Sequence, residues 1–198
     1  MTVHRSTIYN ANFILVITVT LFFFACTTQG TKTSYKSQEL KNQKIEKLGF
    51  SQAADEKKLR RIRLNAADIY QSAFEEFFLN QKIRVEKHDL TNFKSITDTD
   101  SSEIRAICRE YDLSGYVCTQ ITIDTWLLPN LIGPRMVAED AYVEMKLFDA
   151  NAVLLLHVKY NTRSDNKDPV SDPRAEKTIK AGTIGALKQL LKEINENS

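Results

Sequence analysis

The longest apolar run of the chain, Phe13 to Ala25 (Phe-Ile-Leu-Val-Ile-Thr-Val-Thr-Leu-Phe-Phe-Phe-Ala), decides how much of the sequence is left to fold. A helix crossing a bilayer core takes about 20 apolar residues, so this run is short for a span. The leading segment, Met1 to Asn12, carries His4 and Arg5 and no acidic residue, and the small Ala25 closes the run before the composition turns polar. A positive lead, an apolar middle and a small exit residue are the parts of a secretory signal, which the mature protein loses. The fold is therefore expected after residue 25, in a compartment outside the cytoplasm.

The residue at that junction is Cys26, and Phe23-Phe24-Ala25-Cys26 resembles the lipobox of bacterial lipoproteins, in which the cysteine is diacylated and becomes the mature N-terminus. Phe23 stands where the pattern usually has Leu, with Leu21 two residues further back. The resemblance implies a signal peptide over 1–25, lipidation at Cys26 and attachment to a membrane through that lipid. A plain signal with an incidental cysteine and an uncleaved anchor are the alternatives. Thr27 is not the Asp that keeps many such lipoproteins at the inner membrane, so the resemblance implies the outer membrane, facing the periplasm.

Removing residues 1–25 takes away Arg5 and leaves 26 of the 27 Lys and Arg against 25 Asp and Glu. A near-neutral chain lacks the basic footprint that nucleic acid requires, and nucleic acid is excluded as an expected partner. Residues 26–43 are the lipidated cysteine followed by a polar stretch without apolar periodicity, which reads as a flexible tether. Residues 44–198 are enough for a single domain.

Within that domain Lys44 to Phe50 reads as a short strand, and Asp55 to Asn80 as one amphipathic helix with Ile62, Ala66, Ile69, Ala73 and Phe77 on its stripe. Lys82 to His88 alternates as a half-buried strand does. Asp100-Ser-Ser-Glu103 is a capping box opening a helix to Leu113, with Asp100 accepting from a first-turn amide and Glu103 reaching back. Tyr116 to Trp126, Ala141 to Asp149 and Val153 to Tyr160 read as strands, the last two as a hairpin, and Ala175 to Asn195 as a final helix. Gly182 and Gly185 would let that helix lie close on a sheet. The order β-α-β-α-β-β-β-α indicates an α/β fold, a mixed sheet with helices packed on it.

Cys108 falls on the buried stripe of its helix, whereas Cys118 alternates against Val117, Ile121 and Ile123. The two thiols are therefore expected on opposite faces of the sheet and unpaired, since a disulfide needs closely placed Cβ atoms. His88 and His157 have no cysteine or carboxylate at metal-ligand spacing, so no metal and no cofactor is expected. Gly182 to Lys188 lacks the Gly-Lys-Ser/Thr ending of a phosphate loop. The basic run Glu56 to Arg63 reads as the solvated side of a helix. No nucleophile elbow or Ser, His and Asp grouping is recognisable, and a non-enzyme is expected.

Glu103-Ile-Arg-Ala-Ile-Cys-Arg-Glu-Tyr-Asp-Leu-Ser-Gly-Tyr-Val-Cys-Thr-Gln-Ile-Thr-Ile-Asp124 resembles the "Gly-Ala-Asp-Tyr-Val-Val-Thr-Gly-x-Ile" segment of envelope lipoproteins of the curli secretion-pore (CsgG), penicillin-binding-protein activator (LpoB) and TolB N-terminal type. Tyr142-Val-Glu-Met-Lys-Leu-Phe-Asp-Ala-Asn-Ala-Val-Leu154 is similar to their next signature, with Asn151-Ala152 where the family prefers Thr-Gly. The resemblance implies a non-catalytic binding or assembly module in an envelope complex, with a protein partner. The alternative is a homo-oligomeric secretion accessory of the curli-pore type without its own transmembrane hairpins.

Some family members insert hairpins into membranes, which directs attention to Trp126 to Val137. Read as a loop, it is too short for barrel strands of about 9–11 residues each way. It is nonetheless rich in apolar residues: Trp126, Leu127, Leu128, Leu131, Ile132 and Met136. Two readings stay open, a loop folded back over the sheet and a surface for a partner or lipid.

Overall fold

The computed structural model describes residues 31–62, 64–128, 136–162 and 175–196. Its strands are β1 (Thr31–Lys36), β2 (Lys47–Ala53), β3 (Arg84–Lys87), β4 (Gly115–Leu128), β5 (Met136–Asp149) and β6 (Leu154–Asn161). Its helices are α1 (Glu56–Ile62), α2 (Ala66–Phe78), α3 (Ser101–Glu110) and α4 (Ala175–Asn195). They form one mixed sheet in the order β1-β6-β5-β4-β2-β3, with helices on both faces. The expected α/β class holds, with one strand added in front and the first helix in two pieces.

β2 lies between two parallel neighbours, β3 and β4, and its Leu48, Phe50, Ser51 and Ala53 are all buried, as a strand covered on both faces requires. From β4 onward the pairing is antiparallel, through β5 and β6 to β1. One face carries α2 and α4. Phe74 of α2 stacks on Phe50 at 4.2 Å between ring centroids, and Tyr70 meets Phe50 edge-on. The Tyr70 hydroxyl donates to Thr119 Oγ1 at 2.9 Å, so the polar end of a buried ring is satisfied. Both glycines of α4 are contact points. A Cβ on Gly182 would come within 2.9 Å of Val143, and one on Gly185 within 2.3 Å of the Tyr160 ring.

The other face carries α3. Asp100 Oδ1 accepts from the amides of Ser102 (2.8 Å) and Glu103 (3.4 Å), the expected cap. Glu103 does not complete the box. Its carboxylate accepts from the Thr91 amide at 2.7 Å and so fastens the segment that bridges β3 and α3. Ile104 and Cys108 of α3 pack with Leu90, Phe93, Tyr116 and Cys118 in a second apolar cluster. The expectation that the two cysteines lie on opposite faces is thereby corrected. α3 covers the Tyr116 and Cys118 face of β4, whereas Val117 and Ile121 face α2 and α4. Both thiols are free.

The helix expected over Asp55 to Asn80 is two helices, one ending at Ile62 and the next starting at Ala66 after a turn at Leu64 and Asn65. Asn65 sits at the start of α2 with φ −99° and ψ 12°, and Leu64 is 83% exposed. Arg60 spans the break, with Nε 2.6 Å from Glu56 and Nη2 3.1 Å from Asp68.

The polar stretch read as a tether is structured from Thr31. β1 pairs antiparallel with β6, and Ser37 N donates to Leu155 O at 2.8 Å. Leu40, in the 3-10 turn that follows, is buried in the main core. A polar clasp holds the strand to α4. Glu193 accepts from Thr33 Oγ1 at 2.8 Å and pairs with Lys36 Nζ at 2.6 Å, while Gln189 Nε2 donates to Thr33 Oγ1 at 2.9 Å.

The hydrogen bond from Lys36, followed by that from Thr33, holds the Glu193 carboxyl below its usual pKa against the opposing effect of burial. A depressed carboxylate stabilises above its unfolded value of about 4.3, and that contribution is lost as pH falls through the folded value. Amide exchange in β1 is therefore expected to accelerate relative to β5 below about pH 4, and Glu193→Gln to show the fast exchange already at pH 7, measured by hydrogen exchange. A second expectation concerns the β5 to β6 turn, where Asp149 Oδ1 accepts from the amides of Asn151 and Val153, and Ala152 is held at φ 62°. Ala152→Gly relieves a left-handed alanine at some cost in unfolded-chain entropy and is expected to raise stability by up to about 1 kcal/mol in urea unfolding.

Candidate functional site

β4 and β5 pair residue for residue from Gly115↔Asp149 to Leu128↔Met136 without a bulge. Their neighbours stop much earlier. β2 follows β4 only to Thr119, and β6 follows β5 only to the Tyr142↔Asn161 pair. Among the described residues, from Ile123↔Ala141 to Leu128↔Met136 the two strands pair only with each other, as a two-stranded ribbon. The expected loop over Trp126 to Val137 is corrected by this. Trp126, Leu127 and Leu128 are the last residues of β4, Met136 and Val137 the first of β5, and only residues 129–135 separate them. Leu131 and Ile132 lie outside the described residues, as does Cys26.

The composition of the ribbon changes along its length. Near the sheet the rungs Asp124↔Asp140 and Thr125↔Glu139 hold three carboxylates. The far rungs, Trp126↔Ala138, Leu127↔Val137 and Leu128↔Met136, hold no charged or hydrogen-bonding side chain except the indole N–H.

Elsewhere several ionisable groups of the sheet are paired or hydrogen-bonded. On β5 and β6 Glu144 accepts from His157 Nε2 at 3.1 Å and pairs with Lys159 Nζ at 3.1 Å. Burial lowers the His157 pKa, opposed by Glu144. Lys146 Nζ donates to Ile96 O at 2.8 Å and ties the β3 to α3 segment to the sheet. His88, one residue past β3, stacks on Tyr111 at 3.8 Å, and its carbonyl accepts from the Tyr116 hydroxyl. A groove of about 690 Å³ opens between Lys41 to Glu46, the start of β3 and the end of α4. Its cations stand in solvent, and Lys44 is paired with Glu46 at 2.5 Å, so no buried polar group awaits a ligand there. Among the described residues no cluster of three or more His, Cys, Asp or Glu could hold a metal ion, and no helix is long and apolar enough to cross a membrane.

No family model matches the chain, and no curated protein is similar to it. Three solved structures are similar in the course of the chain. Lipoprotein GNA1162 from Neisseria meningitidis is 9% identical, with a TM-score of 0.41 over 77% of this chain and 99% of that one. CT253 from Chlamydia trachomatis is 11% identical, with a TM-score of 0.44 over 76% and 98%. A minor lipoprotein from Acinetobacter baumannii is 9% identical, with a TM-score of 0.37 over 77% and 94%. At such identities none of them lends this chain an activity.

The two buried cysteines carry a testable consequence. Burial, then the nearby Asp149, pushes the Cys108 thiol up to about 11, and burial pushes Cys118 well above the usual thiol range. The thiolate is the reactive form. Both are expected to stay unlabelled by a thiol reagent at pH 8 in the native chain and to react within the same time once denaturant is added, as read by mass spectrometry of the two peptides.

Proposed function

We propose that this chain is a lipid-anchored, non-catalytic contact module of the bacterial cell envelope, held at the outer membrane and facing the periplasm. The observation that carries the reading is the ribbon, a hairpin of two fourteen-residue strands whose rungs beyond Thr122↔Tyr142 pair, among the described residues, with no third strand. A strand pair that runs on past its neighbours and is rich in apolar residues at its far end fits a role in contact with something else. The signal anatomy and the Ala25-Cys26 junction support the anchor.

Palmitate labelling and fractionation test the anchor. The wild-type chain is expected to take up label and to sediment with membranes, and Cys26→Ala to lose both; label that survives the substitution would overturn the assignment. The contact role is tested by crosslinking in whole cells. A chain shortened by joining Asp124 to Asp140 through a two-residue turn is expected to keep the melting temperature within a few degrees and to lose the crosslinks made by the full ribbon.

A further inference from the structure

The groove of about 690 Å³ opens at the start of β3, and β3 is the outermost strand of the sheet, paired with β2 alone. Arg84 N donates to Glu46 O at 3.0 Å and His88 N to Phe50 O at 2.9 Å, so the alternate amides, those of Val85 and Lys87, point away from β2. Among the described residues nothing accepts from either of them. An edge of this kind is a template for another extended chain, which joins the sheet through backbone hydrogen bonds.

The groove beside this edge is charged on one sign. Lys41, Lys44, Lys82 and Arg84 line it in exposed positions, against one carboxylate, that of Glu46. Lys44 takes that carboxylate at 2.5 Å, which leaves Lys41, Lys82 and Arg84 without a salt bridge among the described residues. Ile83 and Ile194 give the same groove a buried apolar lining. Since no buried polar group faces it, a compact polar ligand would find nothing to orient it. A chain that carries its carboxylates at intervals would, because the backbone of β3 fixes its register and the cations fix its sign. The alternation of β3 sets the pattern of that chain: Arg84 and Val85 point to opposite faces, Val85 packed against the main core, so an acidic residue fits beside the first and an apolar one beside the second. A second copy of this chain fits poorly. Its other edge, β1, brings Lys32 and Lys36 and no acidic residue, and an antiparallel pairing of β3 with β3 sets Arg84 opposite Lys87.

We propose that an extended acidic segment of a partner protein binds at this end of the sheet, pairing with the outer edge of β3 as a seventh strand and setting its carboxylates against Lys41, Lys82 and Arg84. The proposal depends neither on acylation of Cys26 nor on the ribbon, so it stands or falls apart from the reading given above. Backbone pairing with the Val85 and Lys87 amides supplies the attachment, and the three cations select an acidic sequence over a basic one.

The probe is a fluorescein-labelled peptide of four Glu-Val repeats, about 26 Å long as a strand at ~3.3 Å per residue, titrated into the full chain in phosphatidylcholine nanodiscs and followed by anisotropy. Saturable binding is expected, weaker by about tenfold or more at ~500 mM salt than at ~50 mM, and four Lys-Val repeats are expected not to bind. Absence of saturable binding overturns the proposal. Lys82→Glu combined with Arg84→Glu, both at exposed positions, is expected to reverse the preference, and a gain of Lys-Val binding cannot come from misfolding. Hydrogen exchange reads the edge itself: with peptide at saturation the amides of Val85 and Lys87 are expected to slow by about tenfold or more. Two further peptides, N-methylated at the Glu or at the Val positions, test the strand pairing. Only one of those sets faces β3, so one peptide is expected to lose binding and the other to keep it. Bound peptide with unchanged exchange at Val85 and Lys87, or equal binding of both methylated forms, overturns the proposal. Displacement of the peptide by dodecyl phosphate without loss of the Lys82 and Arg84 dependence makes the groove a site for an anionic amphiphile and overturns it too. So do β3 amides already protected without peptide in proportion to protein concentration, which report a second copy on the edge.

Discussion

The unbroken pairing of β4 with β5 over fourteen rungs is the constraint on which the rest of the structure depends. On one side of it stands the parallel half, β2 and β3 with their helical crossovers, and on the other the antiparallel half, β6 and β1. Each helical layer is laid on one parity of this ladder. Val117, Ile121, Val143, Met145 and Leu147 face α2 and α4, and Tyr116, Cys118 and Phe148 face α3. A slip of one residue in β5 would exchange its two sets and send Glu144 and Lys146 toward α4, away from the partners they have on the other face. The absence of a bulge in this ladder is what permits both faces to be buried at once.

Where one physical signal was dominant, the sequence and the structure agree. α4 runs from Ala175 to Asn195 as its apolar spacing indicates, and Gly182 and Gly185 are where it meets the side chains of Val143 and Tyr160. Asp100 caps α3 as the Asp-Ser-Ser-Glu pattern indicates. Disagreement arises where two arrangements satisfy the same local pattern. The apolar spacing of α2 continues in phase back through Ile62 in the sequence, so periodicity alone cannot show the turn at Leu64 and Asn65. Glu103 fits a capping box in sequence, yet the Thr91 amide, distant by 12 residues, takes its carboxylate. The two cysteines were misplaced for a related reason. Alternation separates Cys118 from Val117, but which of the two faces receives α3 is settled by the path of the crossover and not by the strand itself.

The candidate site was legible in composition and illegible in shape. Trp126, Leu127, Leu128 and Met136 attract attention as apolar residues in an unlikely setting, and Pro129 and Pro134 make the whole stretch resemble a loop. Proline removes a ladder donor only where it stands, however, and here the two prolines fall within the seven residues between the strands. Strand-forming residues on either side, from Ile121 to Thr125 and from Val137 to Val143, carry the pairing outward. β1 escaped notice for the opposite reason. Thr-Lys-Thr-Ser-Tyr-Lys has no apolar residue except Tyr35, because an edge strand held by backbone pairing and by the Glu193 clasp does not need one.

That inconspicuous strand changes the meaning of the anchor. A tether over 26–43 would be about 18 residues, whose extended reach of about 60 Å exceeds the whole ribbon and would leave the domain free to face any direction. Folding Thr31–Lys36 onto β6 removes most of that length and makes the linker shorter than the ribbon beside it. The seam that achieves this is a single line of backbone pairing plus the contacts of Thr33 and Lys36 with Glu193, and exposed ion pairs of this kind contribute about 1 kcal/mol or less. With the proposed anchor, the orientation of the domain on a membrane would then depend on an edge seam of the sheet, since releasing β1 restores the long tether without disturbing either apolar cluster except at Leu40. With the proposed anchor, stability of the core and control of orientation would be carried by different parts of the molecule: the first by the β4–β5 ladder and its two helical layers, the second by an edge strand whose residues are almost all polar.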